Sequence, residues 1–481
     1  MFNNSMKSIV LLIGSLIVFF GLPAQVQIGS DIDGEAEGEA FGTRVTAASN
    51  GNIIGVLGST NGISGSVHVY QNNGSSWELY GTESNGNHFD GLMMSGIHLT
   101  PDGQTLAIGG GGLVKVYAYD SGIWTQIGND LASSIGNNSF GSRVELSNSG
   151  DVLAVSAPNY SPSSNSISIP PPPYVGLVQL FRLESGNWTQ IGGNIEGINF
   201  GEISGRNISM SSDGNTVAIA NNSSIRVYEN ISDVWTLKGT EIPGVPQNRK
   251  SVSLSGDGNV VVIGDSEFSD SLIQRGRVTA YQFASNDWVQ LGNHIYGEVA
   301  YYRTGWSVSL SEAANVLAVG EIGSTSGSTN AGRTRIFEYN SGTWTQLGSS
   351  IFGEYDGDVS GGSVSITADG SAVAIGASSN DDNGTDAGQV RVYNLSALLS
   401  DNQVLIPEIK LYPNPVEGHF SVSLPPGIEL QELKLFNSLG KAIITINGNS
   451  KHIKMTNISS GIYFVEIITN KGRETKKIIR Y

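Results

Sequence analysis

Through the middle of the chain, short apolar runs return at a near-regular interval, each bounded by Gly, Asn, Asp and Ser. The pattern reads F-G-x-x-V-x-L-S-x-D-G-x-x-L-A-I-G, then G-x-V-x-V-Y, then G-x-W-T-Q-I-G, and it recurs seven times. Its first segment opens at Val45, Ile97, Val144, Ile208, Val252, Val308 and Val364, and its second at Ile53, Leu106, Leu153, Val217, Val261, Leu317 and Val373. A third ends at Tyr70, Tyr117, Phe181, Tyr228, Tyr281, Phe337 and Tyr393, and a fourth opens with Trp77, Trp124, Trp188, Trp235, Trp288 and Trp344. The segments alternate or cluster β-branched and aromatic residues over four to six positions, which predicts four short strands per repeat. Asp-Gly pairs at Asp102-Gly103, Asp213-Gly214, Asp257-Gly258 and Asp369-Gly370 predict hairpin turns between the first two strands. Glycine accepts positive φ there, and Asp bonds the local backbone.

One such sheet cannot bury both its faces, so the units must stack on one another. Successive tryptophans stand 47, 64, 47, 53 and 56 residues apart. Four-stranded units at that period predict an all-β fold: a seven-bladed β-propeller of four-stranded blades over residues 25–394. Only six tryptophans open a fourth strand. Gln25-Val26-Gln27-Ile28-Gly29 matches W-T-Q-I-G from its second position onward. The N-terminal segment is therefore expected to supply the outer strand of the last blade, beside the strand ending at Tyr393, and to remove an unpaired edge.

Both ends of the chain depart from the repeat. Ile9 to Leu22 carries no charge, follows Lys7 and precedes Pro23 and Ala24. As a helix it would rise about 21 Å against a hydrocarbon core of about 30 Å, so residues 1–24 read as a signal peptide cleaved after Ala24 and not as a lasting span. No later segment is apolar for long enough to cross a membrane. Residues 395–407 read as a linker, and residues 408–481 as a small β-sandwich of about seven short strands.

Charge and composition narrow the partners. The net charge is −17, with 10 Lys/Arg against 7 Asp/Glu from Asp401 onward and 16 against 36 before it. So acidic a body repels phosphate backbones, which excludes nucleic acid as a partner. There is no Cys, so neither disulfides nor lipid attachment at an N-terminal cysteine is available.

The repeats resemble FG-GAP repeats, the blade type of the integrin α-subunit propeller. Phe41-Gly42 and Phe140-Gly141 match the first half of that name, and Ala157-Pro158 matches part of the second. The resemblance implies a propeller fold and extracellular binding. It does not imply the family's calcium sites, because the D-x-D-x-D-G loop is here reduced to a single Asp. The C-terminal segment resembles the type A sorting domain of the type IX secretion system. That resemblance is carried by Tyr412-Pro413-Asn414-Pro415, Leu435-Phe436-Asn437 leading to Gly440-Lys441, Gly461-Ile462-Tyr463, and Lys476-Lys477-Ile478-Ile479-Arg480. It implies the secretion machinery and a surface sortase as partners, and a secreted or outer-surface location in a Bacteroidetes-type bacterium.

Residues with chemistry to offer are few. His68, His88, His98, His294, His419 and His452 show no H-E-x-x-H pairing or metal-ligand spacing, and no G-x-S-x-G or Walker-type loop occurs. The six repeated tryptophans read as packing between sheets, since a residue recurring in six units serves the unit. Trp306 stands outside that position, beside Tyr301, Tyr302 and Arg303, and reads as the candidate ligand-stacking site. Asp31, Asp33, Glu35, Glu37 and Glu39 form one acidic loop, and Asp381, Asp382, Asn383 and Asp386 form another; calcium is the one cofactor that such oxygen-rich loops would suit. The function expected is a binding or adhesion module for extracellular polysaccharide or protein. A carboxylate-based polysaccharide hydrolase or lyase and a structural surface-layer component are the alternatives. The links between second and third strands and between repeats vary most in length and content, so the binding residues are expected on the face where those links emerge.

Overall fold

The computed structural model describes residues 25–48, 51–60, 64–83, 89, 94–133, 139–162, 174–244, 250–323, 331–400, 410–424, 429–437, 441–447, 452–469 and 472–481. The expected signal peptide lies outside them. The chain divides into two compact units, Met1–Leu399 and Ser400–Tyr481.

Among the described residues, the first unit holds seven sheets, one for each repeat of the sequence pattern. The third, typical of the rest, runs Val144–Leu146, Val152–Ala157, Leu177–Glu184 and Asn187–Gln190, each strand antiparallel to the one before. Third strands reach eight residues in most sheets, longer than the pattern predicts. The fourth strands of the fifth and sixth sheets, Asp287–Tyr296 and Thr343–Phe352, reach ten, each with a shift in register. In the seventh sheet Ser363–Ile366, Ala372–Ala377 and Gln389–Asn394 are joined by Val26–Gln27, whose residues pair with Asn394 and Tyr393. Ile32–Asp33 adds a second pairing, with Val390 and Gln389. The N-terminal segment thus closes the last sheet as the repeat pattern requires.

Second strands are apolar on both sides because they lie in the middle of their sheets and between neighbouring sheets. Val152–Ala157, Val260–Asp265, Val316–Glu321 and Ala372–Ala377 are buried at every position. The first strands alternate instead. Their Val, Ile and Leu residues pack between sheets, while the residue in the middle points across to the next sheet. There it accepts a backbone N–H that the next sheet's own ladder leaves over. Leu99 donates to Thr46 Oγ1, Leu146 to His98 Nδ1, Leu254 to Ser209 Oγ, Leu310 to Ser253 Oγ, Ile366 to Ser309 Oγ and Ala47 to Ser365 Oγ, all at 3.0–3.2 Å. The last of these runs from the first sheet back to the seventh.

A second series lies at the periphery. The indole N–H groups of Trp77, Trp124, Trp188, Trp235, Trp288 and Trp344 donate to the carbonyls of Ile28, Tyr80, Ile127, Ile191, Lys238 and Leu291 of the preceding sheets, at 2.7–3.1 Å. This is the packing role read from their recurrence. In the seventh sheet Gln25 stands where the tryptophan would, and its side-chain amide donates to the Ser349 carbonyl at 2.7 Å.

Among the described residues, five of the links into a first strand turn at a glycine in the F-G position or its equivalent. Gly42, Gly141, Gly205, Gly305 and Gly361 have φ of 82–87°. A Cβ at Gly141 would lie 2.6 Å from the Gly110 nitrogen, so the position has both a backbone and a steric demand for glycine. Beside two of these turns Phe41 and Phe140 are fully buried.

The expected linker begins with packed residues. Ser396–Ser400 is a short helix, and Leu395 and Leu398 are buried against Ile366 and Val373. Among the described residues, the second unit holds a three-stranded sheet of Lys410–Tyr412, His419–Ser423 and His452–Lys454 and a four-stranded sheet of Leu430–Asn437, Ala442–Asn447, Gly461–Thr469 and Gly472–Arg480. Phe420, Leu433, Leu435, Val465 and Ile467 fill the core of this unit.

Removing residues up to Asp33 deletes both N-terminal pairings and the Ile28 N–H bond to the Val392 carbonyl. At about 1 kcal/mol per hydrogen bond, the loss is about 4 kcal/mol before the burial of Ile32 is counted, out of a typical total of about 5–15 kcal/mol. A chain beginning at Gly34 is expected to melt well below the chain beginning at Gln25 and to self-associate through the opened edge. Equal melting temperatures in a thermal denaturation series would show that this strand does not carry the closure.

Candidate functional site

The middle positions of the first strands read Thr46, His98, Glu145, Ser209, Ser253, Ser309 and Ser365 in chain order. Five are small hydroxyl residues whose oxygens make the sheet-to-sheet bond. The second and third are an imidazole and a carboxyl group. Both line a cavity of about 730 Å³ enclosed by the first strands.

The geometry of His98 fixes its proton. Its Nδ1 accepts the Leu146 N–H at 3.1 Å, so the ring proton sits on Nε2, which lies 3.3 Å from Glu145 Oε2. Protonating the ring would require Nδ1 to turn from acceptor to donor against a backbone donor. Burial holds the His98 pKa down at about 4 and pushes that of Glu145 up to about 8, although Arg143 and Arg44 draw the carboxyl the other way. The two side chains are close enough to form an ion pair, but near neutral pH they form a hydrogen bond between neutral groups. About a quarter of each side chain faces the confined space of the cavity.

The two ends of the cavity differ. At the hairpin end, Asn148 of the third sheet donates to Glu312 Oε1 of the sixth at 2.5 Å. The hairpins there are also joined by backbone bonds, from Asn148 to Ser212, Ser212 to Gly256, Gly256 to Glu312 and Glu312 to Ala368, at 2.9–3.0 Å. At the link end stand Arg44, Arg143, Arg206 and Trp306. Neutral oxygens help to hold the guanidinium groups: Arg44 bonds the Ser95 carbonyl at 2.5 Å, Arg143 bonds Asn207 Oδ1 and the Ser142 carbonyl at 2.8 Å, and Arg206 bonds Asn222 Oδ1 at 3.2 Å.

Of the four residues read as a ligand site, Trp306 lines this cavity. Its neighbour Arg303 lies 5.9 Å from its ring centroid. Tyr302 lies under the Arg333 guanidinium at 4.5 Å, and Tyr301 is exposed with φ of 65°. Arg333 also bonds Glu321 at 2.6 Å and Glu298 at 2.9 Å, so Tyr302 packs on an ion-pair network.

The acidic loops serve local structure. Glu39 is buried and accepts the N–H groups of Glu35 and Ala36 and the Ser66 hydroxyl, and Asp31 accepts from Gln27. Glu202 and Asp358 cap later links in the same way. Asp381 accepts the Asp386 N–H, Asp382 accepts from Gln389, and Asn383 donates to the Gly34 carbonyl, so the residues read as a calcium set are turned to separate partners. Among the described residues, no three acidic or histidine side chains gather as a metal site. In the second unit Asn414 donates to the Lys477 carbonyl and accepts from Ile479, Tyr463 bonds the Ser459 carbonyl, and Tyr412 and Lys477 are exposed. Pro413, Pro415 and Gly461 lie in the same unit, and Gly440 is outside the described residues.

His98, Glu145 and the three arginines were not singled out by sequence reading. Their signal was present in the repeat itself, since His and Glu replace Ser or Thr at one position of an otherwise uniform series.

Glu145 has a pH signature with a definite sign. Its pKa is raised from an ordinary 4.5 to about 8, so its contribution to stability is full below pH 4.5 and is lost as pH rises through 8. His98, lowered from 6.5 to about 4, contributes fully above pH 6.5 and loses its contribution as pH falls through 4. Between pH 6.5 and 8 Glu145 is the member of the pair that changes. Thermal melts across that range should fall for the native chain and stay flatter for Glu145→Gln, which keeps an oxygen for His98. Parallel curves would assign the loss to other groups.

Residues 410–480 match the family model described as the secretion system C-terminal sorting domain. No curated protein sequence matches the chain. Among solved structures, the chain is similar to the β-propeller domain of Cps50 (Swd1) from Myceliophteria thermophila, at 9% identity and a TM-score of 0.48 over 77% of this chain and 98% of that one. It is also similar to a protein from Lactobacillus plantarum, at 13% identity and a TM-score of 0.46 over 65% and 85%. At such identity, likeness of fold says nothing of a shared ligand. The sorting tail, by contrast, marks a protein secreted by the type IX system to the cell surface or the extracellular space.

Proposed function

We propose that the first unit is a seven-bladed β-propeller of FG-GAP type and that it is a binding or adhesion module for extracellular polysaccharide or protein, not an enzyme. The observation that carries this reading is the asymmetry of the central cavity. One end is bridged by Asn148 and Glu312, while the other carries Trp306 and three arginines on the side where the links between sheets emerge. A rigid frame with variable links above a polar cavity suits recognition. The partners during export are the secretion machinery and a surface sortase, after removal of residues 1–24. Mass spectrometry of surface-released protein should find no Arg480 or Tyr481, because the sorting tail is removed; an intact C-terminus would contradict this.

The same cavity favours a second reading. A carboxyl that keeps its proton to about pH 8 is what a general acid requires, and Glu312 is a second carboxyl in the lining. Incubation with a panel of polysaccharides separates the two readings: retention without product supports the binding module, and release of oligosaccharides supports a hydrolase or lyase. With a retained polymer in hand, replacing Tyr302 and Trp306 together by Ala should weaken retention at least tenfold while the melting temperature changes little. Asp213→Ala and Asp257→Ala, in turns at the opposite end, should leave retention intact. The reverse pattern would place the ligand on the hairpin face.

A further inference from the structure

The seventh sheet breaks the charge pattern of its neighbours at the end where the links emerge. In the fifth and sixth sheets the last residue of the second strand is an acid, opposed in register by an arginine that opens the third: Asp265 by Arg277 and Glu321 by Arg333. Each guanidinium answers its carboxylate, at 3.4 Å and 2.6 Å, and Arg333 also holds Glu298, in the link into the sixth sheet, at 2.9 Å. In the seventh sheet the same register opposes Ala377 to Gln389, so both charges are gone. The carboxylates around that place remain. Glu354 stands in the link into the seventh sheet as Glu298 does in the link into the sixth, and its Oε2 accepts from Gln389 Nε2 at 3.1 Å. Asp382 Oδ2 accepts from the same nitrogen at 3.2 Å. Asp33, which opposes Gln389 across the closing strand, bonds its side chain as well. Three carboxylates thus meet one neutral amide nitrogen with two protons to give. Among the described residues Arg391, 3.5 Å from Glu354, is the one cation paired with any of them.

A second observation concerns the other end of the same amide. Gln389 is 1% exposed, and its Oε1 is buried with no donor among the described residues, a state that buried polar atoms seldom keep. The place therefore holds more acceptors than donors and more negative charge than positive. Its spacing selects the donor it lacks. Distances of 3.1–3.2 Å suit N–H···O bonds and exceed the ~2.3–2.6 Å of calcium–oxygen contacts, in keeping with the lack of a metal-type grouping among the described residues. Asp33, Glu354 and Asp382 are exposed, so a charged N–H donor can reach them from solvent. Phe352 and Tyr355, on either side of Glu354 in the chain, are exposed too and offer apolar faces to a ring carried by that donor.

We propose that this corner of the seventh sheet binds a cationic amino sugar within a polysaccharide, with the sugar's ammonium among Asp33, Glu354 and Asp382 and its ring against Tyr355. This rests on the reading of the first unit as a polysaccharide-binding module, and it names the class of polymer.

Titration calorimetry of the purified full chain, at low salt and at a mildly acidic pH where the sugar amine carries its proton, tests it with three probes: the hexamer of glucosamine, the hexamer of N-acetylglucosamine, and hexalysine. The glucosamine hexamer should bind saturably and lose affinity as salt is added. The acetylated hexamer, with the same backbone and no charge, should bind weaker by about tenfold or more. Asp382→Asn and Gln389→Arg should each weaken the glucosamine hexamer by about tenfold. Gln389→Arg supplies the cation that Arg333 gives Glu298 in the sixth sheet, so its melting temperature should hold; Asp382→Asn, at an exposed position, keeps the test open if it does not. Tyr355→Ala should weaken the glucosamine hexamer and leave any hexalysine binding unchanged. The proposal is overturned if the acetylated hexamer binds as tightly as the charged one, if hexalysine binds more tightly than either, which would make the occupant a basic protein, or if both Asp382→Asn and Gln389→Arg bind the glucosamine hexamer undiminished. If a neutral polysaccharide is retained through Tyr302 and Trp306 while the glucosamine hexamer does not bind, the assignment to this corner fails and the binding-module reading stands. If no polymer is retained either, both fail.

Discussion

The sheets are held together by a hydrogen bond that no sheet can make alone. Six of the seven first strands, each an edge strand, are left with a backbone N–H that their own ladder does not use. An unpartnered donor of this kind, shut away from water, would cost as much as a lost hydrogen bond. The side chain in the middle of the preceding first strand takes it up, at Thr46, His98, Ser209, Ser253, Ser309 and Ser365. A short side chain with a single oxygen reaches the neighbouring strand and displaces no packing, which is why Ser and Thr dominate the position. The apolar residues on either side then interlock between sheets, and the tryptophan bonds repeat the same logic at the rim.

This circuit also decides where chemistry can be placed. Residues in it face the axis, are fixed by their neighbours, and are screened from bulk water by the strands around them. At His98 the circuit survives, because Nδ1 does what a hydroxyl does elsewhere, and the second ring nitrogen becomes available to Glu145. The consequence is a neutral imidazole and a carboxyl that keeps its proton, set among arginines. Two hydroxyl residues in their place would have held the sheets as well and offered nothing to a ligand.

The two ends of the cavity follow from the direction of the strands. Hairpins between first and second strands are short, so they meet near the axis and bond to one another in sequence from Asn148 to Ala368. Links between sheets enter at the other end and keep their length and variety. Several of them spend their acidic residues on their own backbone, as Glu39, Glu202 and Asp358 do, so their acidity reflects turn construction more than ion binding.

The repeat, the strand pattern, the indole positions and the part played by Gln25 to Gly29 were legible from the sequence, because each depends on local period and on the count of units; the second pairing, of Ile32 and Asp33, was not. The sorting tail was legible too, since its motifs are contiguous. The site was only partly so. Trp306 stood out because it broke the repeat, but the other charged residues lining its cavity from Arg44 to Arg206 lie 100 to 262 residues earlier, in sheets that meet only when the fold is assembled. Tyr302 and the loop from Asp381 to Asp386 illustrate the converse. Neighbours in sequence, they are turned to different partners by the backbone, Tyr302 to Arg333, Asp381 to a backbone amide and Asp382 to a side-chain amide. Sequence determines which strands form and how many; the meeting of Arg44, His98, Arg143, Glu145 and Arg206 around one cavity, and the protonation states that burial imposes there, are decided by the tertiary structure, because they depend on distance and dielectric across the axis and not on position along the chain.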